Sequence, residues 1–245
     1  MARPRAGREL HRRVSYGIAC CRFNGTRPEI LLICKRNTYA YIQFVQGKYD
    51  ATRDESIIHL MNGMTVDEKH DLNSLRFEQI WYRIWLDKRS VMSSYHPARF
   101  KFETTFKSDG GLRMKNLLAR SLTGHRLWEI PKGKRDDRSE PEICTAVREF
   151  QEETGVKKHQ YRVHIDARRT YEYDAEGATY VNVYFPAFLT TDDIPRPQFG
   201  RRHQVDEICD IRWMNIDEIK VNDFAGRLVP LIRPIFAYMK KYARR

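Results

Sequence analysis

The stretch REFQEETGV, residues 148–156, constrains the fold most, because it marks the end of an amphipathic helix. Apolar residues precede and enter it at the i, i+3, i+4 and i+7 spacing of a helix: Ile143, Ala146, Val147 and Phe150. Ser139 is expected to cap the start of this helix in an S-x-x-E capping box. Gly155 fits the left-handed position after its last turn. One face of the helix is therefore predicted to pack against a core.

Three glutamates project from a neighbouring face of the predicted helix: Glu149, Glu152 and Glu153. Like charges repel each other, and carboxylates are unfavourable at a helix C-terminus. Hard divalent cations prefer oxygen ligands and share them with substrate phosphates. The cluster therefore predicts a Mg²⁺ or Mn²⁺ site, and the alternative is an ordinary solvated charged face.

The residues upstream of the helix give this cluster a context. Residues 127–134, LWEIPKGK, predict a short strand followed by a Pro/Gly turn. Together with the helix they resemble the Nudix box, G-x5-E-x7-R-E-U-x-E-E-x-G-U, where U is apolar. Gly133, Glu140 and residues 148–156 match its fixed positions, with six residues rather than five between Gly133 and Glu140. The resemblance implies an α/β fold, the Nudix α/β/α sandwich with a mixed sheet, and a hydrolase of nucleoside diphosphate derivatives.

The rest of the chain suggests a Nudix domain with an insertion. Strands are predicted at 14–23, 29–36, 161–173, 178–189 and 208–215, with a helix around 231–239. Between them lies a long segment with mostly helical spacing, which is too long for a structureless loop. We therefore expect residues 1–36 and 124–245 to form the Nudix domain. Residues 37–123 are expected to form an inserted helical subdomain that binds RNA or the cap.

Charge and cysteine content limit the partners. The net charge of +12 and the pI near 9.5 favour a polyanionic partner such as nucleic acid. Arg196, Arg201 and Arg202 lie in one of the basic stretches and are predicted to bind RNA. No apolar run is long enough to span a bilayer, and the odd number of cysteines, five, lacks metal-binding spacing. We expect a cytoplasmic protein without a zinc site, with reduced cysteines in its core.

A finer resemblance suggests the substrate. The W-x-x-P-K-G-K stretch resembles the mRNA-decapping branch of the Nudix family. The order of segments resembles the decapping enzymes of large DNA viruses, of the poxvirus and African swine fever virus type. This implies capped mRNA as substrate, 7-methyl-GDP and 5′-monophosphate RNA as products, and the host cytoplasm as location. The alternatives are a hydrolase of diphosphoinositol or dinucleoside polyphosphates, and an RNA-binding Nudix module without catalysis.

The resemblance also implies roles for individual residues. The expected metal ligands are Glu149, Glu152, Glu153, Glu207 and Gly133, and the candidate catalytic residues are Glu149, Glu153 and Glu207. The expected substrate contacts near the turn are Glu129, Lys132 and Lys134. A methylated cap base is positively charged, so aromatic faces are expected to stack on it. The aromatic candidates, for which packing in a core is the alternative, are Tyr39, Tyr41, Phe44, Tyr171 and Tyr173.

Overall fold

A computed structural model describes residues 11–85, 92–175, 178–191 and 207–242. The chain divides into two compact units. The described parts of 11–33, 128–191 and 211–242 form the first unit, and those of 34–127 with 207–210 form the second. The second unit thus begins three residues before the predicted boundary at 37, ends four residues after 123, and includes a distant short segment.

A mixed sheet forms the centre of the first unit. Strand β1 runs antiparallel to β2 and parallel to β7, as predicted for a mixed sheet. The predicted strand over 161–173 is interrupted by a short 3-10 helix, so its two parts pair with opposite ends of β7. The strands are β1 His11–Asn24, β2 Arg27–Lys35, β3 Trp128–Glu129, β4 Lys132–Gly133, β5 Tyr161–Val163, β6 Arg169–Ala175, β7 Ala178–Leu189 and β8 Ile208–Met214.

Nine α-helices lie within the described ranges. They are α1 Tyr39–Val45, α2 Asp54–Asn62, α3 Val66–Ser74, α4 Phe77–Trp85, α5 Met92–Phe106, α6 Leu112–Arg120, α7 Glu142–Thr154, α8 Ile216–Asn222 and α9 Leu228–Tyr242. Helix α7 packs against β1 and β4. Helix α9 buries Ile232, Ile235 and Met239 in a cluster with Ala19 and Leu32 of the sheet. The predicted α/β sandwich, with helices on both sides of a mixed sheet, is confirmed.

The predicted capping box at the start of α7 is wrong, and the predicted end is right. The helix begins at Glu142, after Pro141 at the N-cap, and no side chain caps it. Ser139 instead donates from its backbone N–H and its Oγ to one oxygen of Asp137, at 2.7 and 3.0 Å. This local turn competes with helix capping for the same short polar side chain. At the other end, Gly155 adopts a φ of 75°, which favours glycine.

The second unit has its own aromatic core, which corrects two predicted cap contacts. Tyr41 and Phe44 are only 2% and 1% exposed. The Phe44 ring stacks on Tyr49 and Phe106, with centroids at 4.9 and 5.4 Å. A base cannot stack on these two rings without unpacking the core. Tyr41 and Phe44 are three residues apart in α1 and lie on the face of this helix that packs against the core. Packing in a core is a commoner reason for this spacing than ligand binding.

The cysteines follow the prediction only in part. Cys20, Cys21 and Cys34 are buried, and all five cysteines are free thiols. Cys144 is exposed and Cys209 is partly exposed, so these two are not core residues. In α7 the apolar stripe that includes Ala146 and Phe150 faces the core, and Cys144 lies outside it. Among the helices described, none is long and apolar enough to cross a membrane.

Candidate active site

Arg148 lies at the centre of the carboxylate cluster on α7. Its Nε and Nη2 donate to the two oxygens of Glu140, at 3.0 and 3.2 Å. Its Nη1 donates to Glu149 at 3.0 Å and to Glu152 at 3.3 Å. Its Nη2 also donates to the carbonyl oxygen of Lys134, at 2.8 Å. Its Nε also lies 3.4 Å from an oxygen of Asp136. Arg148 therefore holds four carboxylates and the preceding loop, and acts as a structural partner for them.

Glu140 is held in place despite the extra residue in its loop. The Arg148 hydrogen bond lowers the pKa of Glu140 to about 2. The backbone N–H of Asp136 also donates to Glu140, at 3.1 Å. The loop closes on itself through the turn at Asp137, so one additional residue is absorbed before the helix starts. Glu140 consequently pairs with Arg148 across a loop of six residues.

Glu149 packs against the backbone of β4. A Cβ built on Gly133 would lie 2.0 Å from the Glu149 Cδ, so only glycine leaves room for this carboxylate. Burial raises the pKa of Glu149 to about 7. Arg148 opposes this increase, and the nearby charges of Glu153 and Glu152 add to it. The cluster of Glu140, Glu149, Glu152 and Glu153 contains more carboxylates than the one guanidinium of Arg148 can neutralise.

Glu153 ties α7 to the sheet. It is only 8% exposed, and one of its oxygens accepts a hydrogen bond from the backbone N–H of Lys132 at 2.9 Å. The residues of β4 pair in turn with Tyr16 and Gly17 of β1. The central strand, β4 and the glutamate face of α7 are thereby fixed relative to one another.

The donor set fits a hard divalent cation in its chemistry. It consists of carboxylate oxygens on one helix face, next to the glycine turn, that outnumber the one guanidinium among them. Within the described ranges, no three Asp, Glu, His or Cys side chains are already arranged to hold an ion. Arg148 bridges Glu149 and Glu152, and Glu153 bonds to the Lys132 N–H. A cation would therefore compete with Arg148 for these oxygens.

The contact between Gly133 and Glu149 gives a direct prediction. We expect Gly133→Ala to displace the end of the Glu149 side chain, which can rotate at little cost to the fold. Activity should fall roughly tenfold or more because the carboxylate leaves its position, while the melting temperature should change little. Gly17→Ala is the contrasting variant, because its Cβ would lie 2.2 Å from the backbone oxygen of Pro131. It should lower the melting temperature, and equal destabilisation by both variants would contradict this account.

The raised pKa of Glu149 predicts a pH dependence of stability. An unfolded Glu ionises near its ordinary pKa of 4.5, whereas folded Glu149 ionises near 7. The folded state alone binds the proton between these values, so stability decreases as pH rises from about 4.5 to 7. We expect Glu149→Gln to melt higher than the wild type at pH 8 in EDTA. At pH 4.5 the difference in melting temperature between the variant and the wild type should be small. An equal difference at both pH values would refute the raised pKa of Glu149.

The basic residues of the turn differ in their environment. The Lys132 ammonium pairs with the Glu129 carboxylate, and both side chains are mostly buried, at 14% and 15% exposure. The two residues predicted to contact the substrate therefore form an ion pair with each other. Lys134 is exposed next to Arg148, which bonds its carbonyl oxygen.

The predicted tyrosines of β6 belong to an aromatic ladder. The rings of Tyr173 and Tyr180 are parallel within 6°, with centroids 5.2 Å apart. Arg227 places its guanidinium 4.3 Å from the Tyr173 centroid. Tyr171 lies 5.9 Å from Tyr173 at a tilt of 43°. A cap base stacking on Tyr173 would have to share this ring with Tyr180 and Arg227.

Other predicted residues belong to the second unit or lie outside the described residues. Glu207 is exposed, lies 3.8 Å from the Lys35 ammonium and accepts the Arg36 N–H through its carbonyl. Tyr39 is 48% exposed at the start of α1. The predicted RNA contacts Arg196, Arg201 and Arg202 fall outside the described ranges.

Two features of the site were not predicted from the sequence. The Lys132 N–H that holds Glu153 is a backbone group, so no residue type signals it. Arg13 and Arg227 join the tyrosine ladder, with Arg13 donating to the Tyr180 hydroxyl at 3.0 Å. They are far from β6 in the chain, and only the parallel pairing of β1 with β7 brings Arg13 there.

Comparison with known proteins places this geometry in context. The NUDIX domain family matches residues 108–234. The mRNA-decapping protein g5R of African swine fever virus (isolate Pig/Kenya/KEN-50/1950) is 29% identical over 242 residues, 95% of this chain and 98% of that protein. A putative mRNA-decapping protein of Acanthamoeba polyphaga mimivirus is 28% identical over 77% of this chain and 58% of its own length. The asymmetrical bis(5'-nucleosyl)-tetraphosphatase of Caenorhabditis elegans is 33% identical over 50% of this chain and 83% of its own length.

Proposed function

This chain belongs to the Nudix hydrolase family, and we propose that it is a metal-dependent mRNA-decapping enzyme. The proposed reaction hydrolyses the 5′ cap triphosphate to 7-methyl-GDP and RNA with a 5′-monophosphate. The observation that carries the proposal is the extent of the similarity to the African swine fever virus decapping protein. It covers 95% of this chain and therefore includes the helical unit as well as the Nudix box.

The carboxylates of α7 are proposed to prepare the site for a triphosphate. Nudix hydrolases typically use divalent metal ions, and we assign Glu149, Glu152, Glu153 and the carbonyl of Gly133 as ligands of Mg²⁺ or Mn²⁺. A bound divalent cation would supply positive charge beside the phosphates and acidify water. Arg148 positions Glu149 and Glu152.

The proton acceptor is proposed to be one of the two carboxylates closest to the glycine turn. Glu149 packs directly against the backbone of Gly133, where a Cβ would lie 2.0 Å from its Cδ. Glu153 is held by the Lys132 N–H and points at the same turn. The proposed catalytic and metal-binding role of Glu207 stays a prediction.

The charge of the chain supports a long anionic substrate. With a net charge of +12, contacts to the RNA body should add to contacts with the cap. Long capped RNA should then bind more tightly than the free cap dinucleotide, and the advantage should shrink as salt rises. Arg196, Arg201 and Arg202 are proposed to contribute to the RNA-body contacts, with the helical unit. Tyr39 stays a proposed contact of the cap base.

A small-molecule substrate is the second candidate. It is favoured by the similarity to the nematode tetraphosphatase, which is confined to half of this chain. A hydrolase of dinucleoside or diphosphoinositol polyphosphates would need the same glutamates but would show no preference for RNA length. A binding module without catalysis would have no use for clustered carboxylates that repel its ligand.

A competition assay separates these candidates. Cap-labelled RNA is incubated with the protein and Mg²⁺ or Mn²⁺, with uncapped RNA, a cap dinucleotide, a dinucleoside tetraphosphate or a diphosphoinositol phosphate as competitor. We expect the capped RNA to be cleaved. Uncapped RNA should inhibit this cleavage by competition, and EDTA should abolish it. If a small polyphosphate is hydrolysed with a higher kcat/KM than long capped RNA at low salt, the decapping proposal fails.

A further inference from the structure

A pocket of about 550 Å³ lies in the first unit, on the side of the sheet that carries α8 and α9. The start of β2 contributes Arg27 to its wall, and the start of α8 contributes Ile216 and Asp217. Helix α9 contributes Arg233, Phe236 and Lys240 to the opposite wall. Its volume falls within the range of about 300–1,000 Å³ that is common for sites of small organic ligands.

The charges around the pocket favour an anion. Arg27, Arg233 and Lys240 are all exposed at its rim, and in the part of the chain that the structure describes none of them makes an ion pair. The carboxylate in the wall, Asp217, pairs with Lys220 at 2.9 Å. Three positive charges converge there against one paired carboxylate, so the rim attracts phosphate groups.

Part of the wall is apolar and consists of Pro28, Ile216, Phe236 and Ala237. Phe236 is 6% exposed, Pro28 is buried, and Ile216 is half-buried. An apolar wall beside cationic side chains suits a ligand that joins a planar base to a phosphate. A bare phosphate would use the cations and leave the apolar wall uncovered. The combination points to a nucleotide.

The pocket is separate from the carboxylate cluster. Gly17 of β1 pairs with Lys132 beside the cluster, whereas Asn24 pairs with Arg27 at the pocket. Seven residues of strand separate the two positions, a distance of about 23 Å. Helix α7 and helix α9 also lie on opposite sides of the sheet. A ligand that occupies both places must be a chain of several nucleotides.

We infer that this pocket binds one nucleotide of the RNA body downstream of the cap. The inference rests on the proposed decapping function, because that function supplies a polynucleotide long enough to extend from the carboxylates around the edge of the sheet. It adds a specific contact to the general attraction expected from the net charge.

Binding of uncapped single-stranded RNA tests the inference without any hydrolysis. Arg233→Ala/Lys240→Ala removes two rim cations, and Lys158→Ala/Lys241→Ala removes two exposed lysines of the same unit that do not line the pocket. Both double variants lower the net charge by two. Fluorescence anisotropy then gives the Kd of a labelled 5′-monophosphate RNA in EDTA at several salt concentrations, and thermal melting confirms that both variants fold.

We expect the pocket variant to bind about tenfold more weakly, with a salt slope reduced by about 1.4, or 0.7 for each phosphate that the variant no longer neutralises. The matched control should stay within about twofold of the wild type. Equal weakening of binding in both variants, or unchanged binding in both, would overturn the inference. The inference would also be overturned if AMP bound at the pocket as tightly as the RNA, because the ligand of the pocket would then be a free nucleotide.

Failure of the proposed decapping function gives a different pattern. In that case the wild type would leave capped RNA intact, whatever the binding assay shows. If the wild type cleaves capped RNA and the pocket variant binds RNA like the control, only the second nucleotide site is refuted.

Discussion

Replacing Glu152 or Glu153 with Gln is expected to lower kcat on capped RNA at least ~10²-fold, because the missing charge acts mainly in the transition state. The fold should persist in both variants. Glu152 is 47% exposed, and its one contact with Arg148 is long, at 3.3 Å. Gln at 153 keeps an oxygen that can accept the Lys132 N–H. Reduced repulsion within the cluster should even raise the melting temperature slightly.

Glu142→Gln is the matched control for these variants. Glu142 lies in the first turn of the same helix and pairs with Arg168 at 3.1 Å, away from Arg148. Its substitution should leave kcat within about twofold of the wild type. Added Mn²⁺ should raise the melting temperature of the wild type and of Glu142→Gln, and do so less in the two cluster variants. Near-normal turnover by both cluster variants would exclude the metal assignment.

Replacing Arg148 with Ala is expected to cause the largest decrease in stability, about 2 kcal/mol or more. The guanidinium is 24% exposed and contacts four carboxylates, those of Asp136, Glu140, Glu149 and Glu152, so its removal leaves their charges unopposed. Activity should fall as well, because Glu149 and Glu152 lose the group that positions them. Arg148→Lys should restore only part of the stability, since an ammonium cannot form the two-pronged contact with Glu140.

A double-mutant cycle separates this pairing from a general effect of charge. Urea unfolding of Arg148→Ala, Glu140→Gln and the combined variant gives the coupling between the two residues. We expect a coupling of about 1 kcal/mol or more, because both oxygens of Glu140 accept from Arg148. If the two single substitutions changed the free energy of unfolding additively, the pairing of Arg148 with Glu140 would contribute nothing to stability.

The sequence predicted the parts of the fold that strong local patterns determine. Helix α7 combines an apolar stripe with a glycine at its end, and both features appear in the structure. Within residues 37–123, the segment predicted to be helical, the apolar pattern of helices α3 and α5 is weak. Helix α3 depends instead on a capping box between Thr65 and Glu68, and Glu68 also accepts from the N–H and hydroxyl of Thr38, at 2.7 and 2.8 Å. Such long-range support for a polar helix has no periodic signal.

The candidate site was predictable as a set of residue types and not as a set of contacts. The carboxylates and Arg148 follow from the box motif, and their spacing on a helix places them together. Aromatic residues were the weakest predictions, since stacking on a ligand and packing in a core require the same side chains. Tyr41 and Phe44 turned out to be core residues, whereas Tyr171 and Tyr173 lie on a partly exposed ladder. Burial, which depends on the partners of each element, decides between the two.

The identity of the products tests the proposed reaction most directly. RNA labelled with ³²P at the cap phosphate next to 7-methylguanosine is incubated with the wild type and with Glu153→Gln in the presence of Mg²⁺ or Mn²⁺. The account predicts that the wild type releases the label as 7-methyl-GDP and leaves RNA with a 5′-monophosphate, and that Glu153→Gln does so at least ~10²-fold more slowly. Release of 7-methyl-GMP, or capped RNA left intact by folded wild-type protein with either metal, would contradict it.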